Sequence, residues 1–161
     1  METTAELELR ELAEQVGELL KQKRWLLATA ESVTGGLVAG RLTNVAGSSD
    51  VLRGSIVSYA SEVKFDVLGV TPGPVVSESV AVEMAIGARR VLGSDVGLAL
   101  TGVAGPADQD GVKPGTLCVG LAMPDGSTQS RTLQLPGVRD QMRQLSVISA
   151  LDFLRRAVAE K

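Results

Sequence analysis

The sequence predicts an α/β layered sandwich. Three observations carry that reading: long amphipathic helical stretches at both ends, short aliphatic runs of buried-strand type between them, and Gly- or Pro-rich turns where one gives way to the other. The first 22 residues show the helical pattern. Thr3 and Glu6 form a capping box, and Leu9, Leu12, Val16 and Leu19 step by three and four, so a helix is predicted over Thr3–Gln22. Trp25–Ala30 is an apolar strand that delivers the chain to Glu31-Ser32-Val33-Thr34-Gly35-Gly36, after which 37–42 reads as helix. Ala46–Asp50 is a turn, Ser55–Tyr59 a second strand, and 61–68 a short helix. Prolines and glycine make 70–74 a loop. Ser77 caps a helix to Leu92 with Val80, Met84, Ala88 and Val91 on one face, and 95–100 is a further buried strand. A polar loop, 107–114, leads to a hairpin of 116–123 and 128–135 around Pro124-Asp125-Gly126. The last helix spans 138–158, with Met142, Leu145, Ile148, Leu151 and Leu154 facing inward. No repeat or dividing linker is visible, so residues 1–161 are expected to form a single domain.

Composition narrows the chemistry. The chain has 161 residues, 44% of them hydrophobic, but only four aromatics: Trp25, Tyr59, Phe65 and Phe153. Its core must therefore be aliphatic. Histidine is absent, which excludes the Ser-His-Asp triad, the Cys-His dyad and any imidazole base or metal ligand. The single cysteine, Cys118, excludes thiolate clusters and internal disulfides and suits a reducing compartment. A net charge of −3 with few aromatics speaks against nucleic-acid binding. An acidic first hexapeptide and the lack of an 18-residue apolar run speak against a signal peptide or a membrane span, so a cytoplasmic protein is expected.

Several segments could carry chemistry. The Glu31–Gly36 turn places hydroxyls and glycines between a strand and a helix, where free N–H groups can hold an anion or an oxyanion; an ordinary capped helix would look the same. It lacks the spacing of either phosphate-binding glycine loop. Were Ser32 a nucleophile, its base would have to be a lysine, a tyrosine or a carboxylate. Lys64 lies beside Val67 and Leu68, and either leans on apolar surface with a lowered pKa or snorkels to solvent. Tyr59, the only tyrosine, is either a partner in that chemistry or a core residue. Ser61-Glu62-Val63-Lys64 matches the S-x-x-K motif of penicillin-recognising enzymes, but about 0.4 matches are expected by chance and the companion motifs are missing. Thr101-Gly102-Val103-Ala104-Gly105-Pro106 follows a strand at an end where open α/β sheets bind ligands. Arg139 and Arg143 are four apart near the start of the last helix, where cations oppose its dipole, so they face either a bound anion or nearby acids such as Asp140. No carboxylate cluster suggests a metal, and Asp108 and Asp110 read as solvated residues of the polar loop.

In this order, the motifs Ala30-Glu31-Ser32-Val33-Thr34-Gly35-Gly36, Val45–Ser49, Arg53-Gly54, Tyr59–Lys64, Leu68-Gly69-Val70, Val76-Ser77-Glu78, Thr101–Pro106 and Gly137-x-Arg139-x3-Arg143 make the sequence resemble the CinA C-terminal domain family of nicotinamide-nucleotide amidases. The resemblance covers nearly the whole chain. It implies a three-layer α/β/α sandwich with a mixed sheet, and hydrolysis of the carboxamide of nicotinamide mononucleotide to nicotinate mononucleotide and ammonia. It implies Ser32 as nucleophile, Lys64 as base and Tyr59 close by. Glu31, Thr34, Gly35, Gly36, Thr101, Gly102 and Gly105 would line the nucleotide pocket, with Arg143, and with it Arg139, at the phosphate. A small-molecule nucleotide is the implied partner, without cofactor, metal, nucleic acid or membrane, in a homodimer or higher homo-oligomer. The sequence departs from the family at Ser61, where Asn is common, in the 107–114 loop, where Asp108-Gln109-Asp110 replaces glycines, and at Pro114-Gly115, where Pro-Val-Gly is usual. The larger N-terminal domain of full-length relatives lies outside the match, and its pyrophosphatase-type activity is not carried over. A competing expectation is a non-catalytic, competence- or recombination-linked interaction module retaining the fold. A third is a serine hydrolase using Ser61 with Lys64.

Overall fold

A computed structural model describes residues 1–161. Five helices, α1 (Thr4–Lys23), α2 (Leu37–Thr43), α3 (Ser61–Asp66), α4 (Glu78–Leu92) and α5 (Arg139–Ala159), surround five strands: β1 (Leu27–Glu31), β2 (Leu52–Val57), β3 (Val96–Gly102), β4 (Thr116–Ala122) and β5 (Thr128–Gln134). The sheet order is β2-β1-β3-β4-β5. The first three strands run parallel, and β4 and β5 form an antiparallel hairpin against β3, so the sheet is mixed, as the resemblance implies. None of the helices is long and apolar enough to cross a membrane.

Strand alternation explains the layers. On one face, Leu27, Leu98, Leu100, Leu117, Val119 and Leu121 meet α1, α2 and α5 in the larger core. On the other, Ala28, Ala30, Ala99, Cys118 and Ala122 meet α4 and the segment 68–76. The sheet is thus bulky on one side and nearly flat on the other, and α4 lies unusually close to it. A Cβ added at Gly97 would fall inside the van der Waals envelope of the Ala85 carbonyl, and one at Gly120 inside that of the Ala81 backbone.

Local chemistry sets the helix ends much as predicted. Glu6 Oε2 accepts from the Thr3 N–H at 2.8 Å and Thr3 Oγ1 from the Glu6 N–H at 3.1 Å, closing the capping box. Ser77 Oγ accepts from the Val80 N–H at 3.2 Å. Other expectations needed correction. β1 begins two residues later than predicted and ends on Glu31. β2 begins at Leu52 and stops before Tyr59, because this edge strand tolerates Arg53 and Gly54, which obscured it in the sequence. In α4, Val91 is exposed rather than buried with Val80, Met84 and Ala88. In α5, Leu145 and Ile148 are only half-buried, and Ser146, Val147 and Ala150 take the buried positions.

This topology prepares a crevice. From β1 the chain passes through α2 to β2 on one face, then through α4 to β3 on the other, so the winding reverses around β1. Such a switch point leaves an opening beyond the carboxyl ends of the strands. Ser32 follows β1 there, and the 101–106 segment follows β3.

Candidate active site

Ser32 and Lys64 meet at that edge. Ser32 is the first residue beyond β1, and its N–H donates to the Leu100 carbonyl at 3.1 Å, which ties it to the end of β3. Ser58 continues β2, with its N–H donating to the Glu31 carbonyl at 2.7 Å. The short α3 then folds back across the ends of β1 and β2, leaving Lys64 1% exposed. Its Nζ lies 2.9 Å from Ser32 Oγ, 2.6 Å from the Ser58 carbonyl oxygen and 3.5 Å from that of Tyr59. Of the two local readings of Lys64, the snorkelling one is overturned.

Burial lowers the pKa of Lys64, because a low-dielectric site penalises the ammonium more than the amine. No carboxylate pairs with Nζ to oppose this. In the neutral form, two N–H bonds can donate to the Ser58 and Tyr59 carbonyls while the lone pair faces the Ser32 hydroxyl. That is the arrangement a general base needs toward a nucleophile.

The pair opens onto a 380 Å³ cleft with apolar inner walls from Val33, Val75, Val76 and Val103, and a more polar mouth that includes Tyr59, Asp108, Gln109 and Arg139. Thr101, Gly102 and Gly105 line it too. Thr101 Oγ1 donates to the Val75 carbonyl at 2.7 Å and so pins the 70–76 loop to β3. Arg139 spans the mouth, Nη1 donating to the Gly105 carbonyl at 2.7 Å and Nη2 to Tyr59 Oη at 2.8 Å. Tyr59 thus gives the lysine its carbonyl, while its hydroxyl serves the arginine.

Other predicted site residues lie elsewhere. Glu31 and Ser32 are adjacent along an extended segment, so their side chains leave opposite faces of the sheet. The fully buried Glu31 carboxylate accepts from Thr34 Oγ1 (2.7 Å), the N–H groups of Gly36 (3.2 Å), Val38 (2.9 Å) and Ala39 (3.0 Å), and Ser55 Oγ (3.2 Å). It therefore occupies the N-terminus of α2 with the protein's own anion. Thr34 is consumed by that network, and Gly35 and Gly36 sit outside the cleft with positive φ (60° and 104°) that shape the turn. Replacing Glu31 with Gln turns an amide NH₂ toward a nest of donors. Expected is a loss of about 2 kcal/mol in chemical denaturation.

Arg143 also misses the cleft. Its Nε and Nη2 donate to the carbonyls of Val33 (3.1 Å) and Thr34 (3.2 Å), bracing the turn from behind. Ser61 is half-buried at the start of α3 and does not line the cleft, and Lys64 bonds to Ser32 instead, which overturns the Ser61–Lys64 reading. Sequence reasoning missed Ser55, which partners Glu31, and Ser58, whose backbone oxygen holds the lysine. Strand alternation could have placed Glu31; nothing in the sequence marks a carbonyl. A separate, mainly apolar crevice of 230 Å³ between α1 and residues 45–52 is lined by Ser48 and Lys21, but no hydrogen bond joins them, and Lys21 pairs with Asp50 at 3.7 Å. No group of three or more His, Cys, Asp or Glu side chains comes together that could hold a metal ion.

Comparison with known proteins agrees across sequence and structure. The sequence model described as CinA C-terminal domain matches residues 9–158. A CinA-like protein of Frankia casuarinae is 53% identical over 146 residues, covering 88% of this chain and 34% of that protein. One from Mycobacterium tuberculosis is 43% identical over 152 residues, covering 91% and 35%. The chain thus spans about a third of the length of the curated relatives it matches. Among solved structures, a competence or damage-inducible protein from Enterobacter asburiae superposes with a TM-score of 0.90 at 29% identity, covering 93% of this chain and 98% of that one. One from Agrobacterium tumefaciens gives 0.88 at 31%, covering 94% and 96%.

Proposed function

This chain belongs to the CinA C-terminal domain family, and from that premise we propose that it hydrolyses the carboxamide of nicotinamide mononucleotide, giving nicotinate mononucleotide and ammonia. The observation that carries the reading is the 2.9 Å contact between Ser32 Oγ and a buried Lys64 at the base of an open cleft. An amide is a weak electrophile, so its hydrolysis near neutral pH calls for an activated nucleophile. Lys64 takes the hydroxyl proton as Ser32 attacks the carboxamide carbon. The same proton then goes to the departing nitrogen, which leaves as ammonia. Water then attacks the acyl-serine as its proton passes to the Lys64 amine; that proton returns to Ser32 Oγ as the ester bond breaks, and the acid product leaves as its carboxylate.

The cleft suits such a ligand in two respects. Its valine walls give a flat heteroaromatic ring an apolar slot, and Arg139 waits at the rim for an anion. Arg139 commits two of its five N–H donors to Tyr59 and Gly105, which leaves donors for a phosphate. The test is ammonia release from nicotinamide mononucleotide by the purified, folded chain. Absence of release despite nucleotide binding would overturn the enzymatic reading in favour of a non-catalytic module.

Arg139→Gln separates phosphate recognition from chemistry. It should raise KM for the mononucleotide roughly 10- to 100-fold, the worth of a charge-assisted contact, while changing hydrolysis of the phosphate-free riboside much less. Equal losses on both substrates would remove Arg139 from phosphate binding.

A further inference from the structure

Attack on a carbonyl moves the π pair onto oxygen, and that oxyanion needs fixed donors. We infer that the backbone N–H of Val33 is the principal oxyanion donor, and that the Ala104-Gly105 stretch across the cleft supplies the second. The inference rests on the acyl-transfer reading above and adds catalytic groups to it.

Most backbone donors of the turn are already engaged. The Ser32 N–H is taken by Leu100, and those of Gly35 and Leu37 by the carbonyls of Ser32 (3.0 Å) and Thr34 (3.1 Å). Gly36 and Val38 donate to the Glu31 carboxylate. The N–H groups of Val33 and Thr34 have no acceptor in the protein, although the two residues are only 6% and 0% exposed, and of the two only Val33 lines the cleft. Buried backbone N–H groups are almost always paired, so an unpaired one beside a nucleophile calls for a reason. Val33 follows the nucleophile directly and lines the cleft. The α2 N-terminus cannot substitute, since Glu31 already fills it.

The facing segment repeats the pattern. Val103 donates to the Thr116 carbonyl at 2.9 Å, but the next two residues, Ala104 and Gly105, line the cleft with N–H groups that have no acceptor. When Ser32 Oγ bonds to the carboxamide carbon, its proton passes to Lys64 Nζ and the carbonyl electron pair moves onto oxygen between these two walls. Collapse returns the pair, breaks the C–N bond and sends the Lys64 proton to the leaving nitrogen.

Val33 is the second residue of the turn closed by the Gly35-to-Ser32 bond, a position where proline is favoured. Val33→Pro therefore deletes the donor in a compatible backbone, and Val33→Ala trims the side chain but keeps the donor. A third variant replaces residue 33 with the α-hydroxy analogue of valine, converting one amide to an ester. Two rates are read: ammonia release from the mononucleotide, and phosphonylation of Ser32 by a small alkyl fluorophosphonate, whose P=O oxygen needs the same donors. Val33→Pro and the ester should lose about 100- to 1,000-fold in both, and Val33→Ala, which thins one wall of the cleft but keeps the donor, should lose at least about tenfold less than the ester. An ester variant that is phosphonylated within about threefold of the wild-type rate overturns the assignment, and it decides the matter if the proline variant misfolds. Phosphonylation of wild type without ammonia release would sink the substrate reading alone, because the phosphonylation rates still test Val33.

Discussion

Ser32→Ala and Lys64→Met should each abolish ammonia release, lowering kcat on the order of 10⁴-fold or more while the protein stays folded. Neither loss should add to the other: a nucleophile and its base act as one unit, so the double variant should be no worse than either single one. The methionine keeps most of the buried volume of Lys64, which separates lost chemistry from lost packing. Wild-type kcat/KM should rise with pH along a limb set by Lys64, because only the neutral amine can accept the serine proton. Burial holds that pKa below the ordinary lysine value of about 10.4, so the limb should lie below it. Stability should follow the same sign. Between the depressed folded-state pKa and the ordinary value, the unfolded chain binds the extra proton, so the Lys64 contribution grows as pH rises through that window. Lys64→Met should remove this part of the pH dependence. A wild-type profile without the limb, or a Ser32→Ala variant that still releases ammonia at a comparable rate, would break the dyad.

The second large effect concerns folding. Gly97→Val and Gly120→Val should each cost more than about 3 kcal/mol, or prevent folding, because the new side chain meets backbone atoms of α4 that cannot yield without moving the helix. Gly17→Ala should have the opposite sign and stabilise by about 0.5–1 kcal/mol. Gly17 lies within α1, a Cβ there would meet nothing within 4 Å, and alanine is the better helix former. Urea denaturation of the three variants reads both signs. Little loss at Gly97 or Gly120 would mean that α4 can lift off the sheet cheaply.

Features governed by neighbours in sequence were legible. The Thr3–Glu6 box, the Ser77 cap and the hairpin around Pro124-Asp125-Gly126 all rest on groups a few residues apart, and they stand near their predicted places. The site divides differently. The turn that follows β1 left Ser32 open to a catalytic or a capping role, and the local environment of Lys64 favoured a snorkelling, exposed side chain. Only the docking of a six-residue helix across two strand ends, 32 residues away from Ser32, settles it. Arg139 and Arg143 share a helix face, as their spacing requires, yet they stand about 6 Å apart along the axis. That offset suffices to put one at the mouth of the cleft and the other behind the turn.

By itself, then, the sequence narrowed the available chemistry and placed most of the secondary structure to within a few residues. A chain without histidine and with one cysteine leaves a serine nucleophile to lysine, tyrosine or a carboxylate, and period-2 and period-3.6 patterns specify strands and helices through local geometry. Tertiary structure decided which polar groups are removed from water and what they then face. It turned Glu31 away from the cleft to cap α2, and it buried Lys64 against Ser32 with two carbonyls as partners. Desolvation and hydrogen bonding depend on everything that packs around a group, and in this chain those neighbours come from strands and helices far apart in sequence.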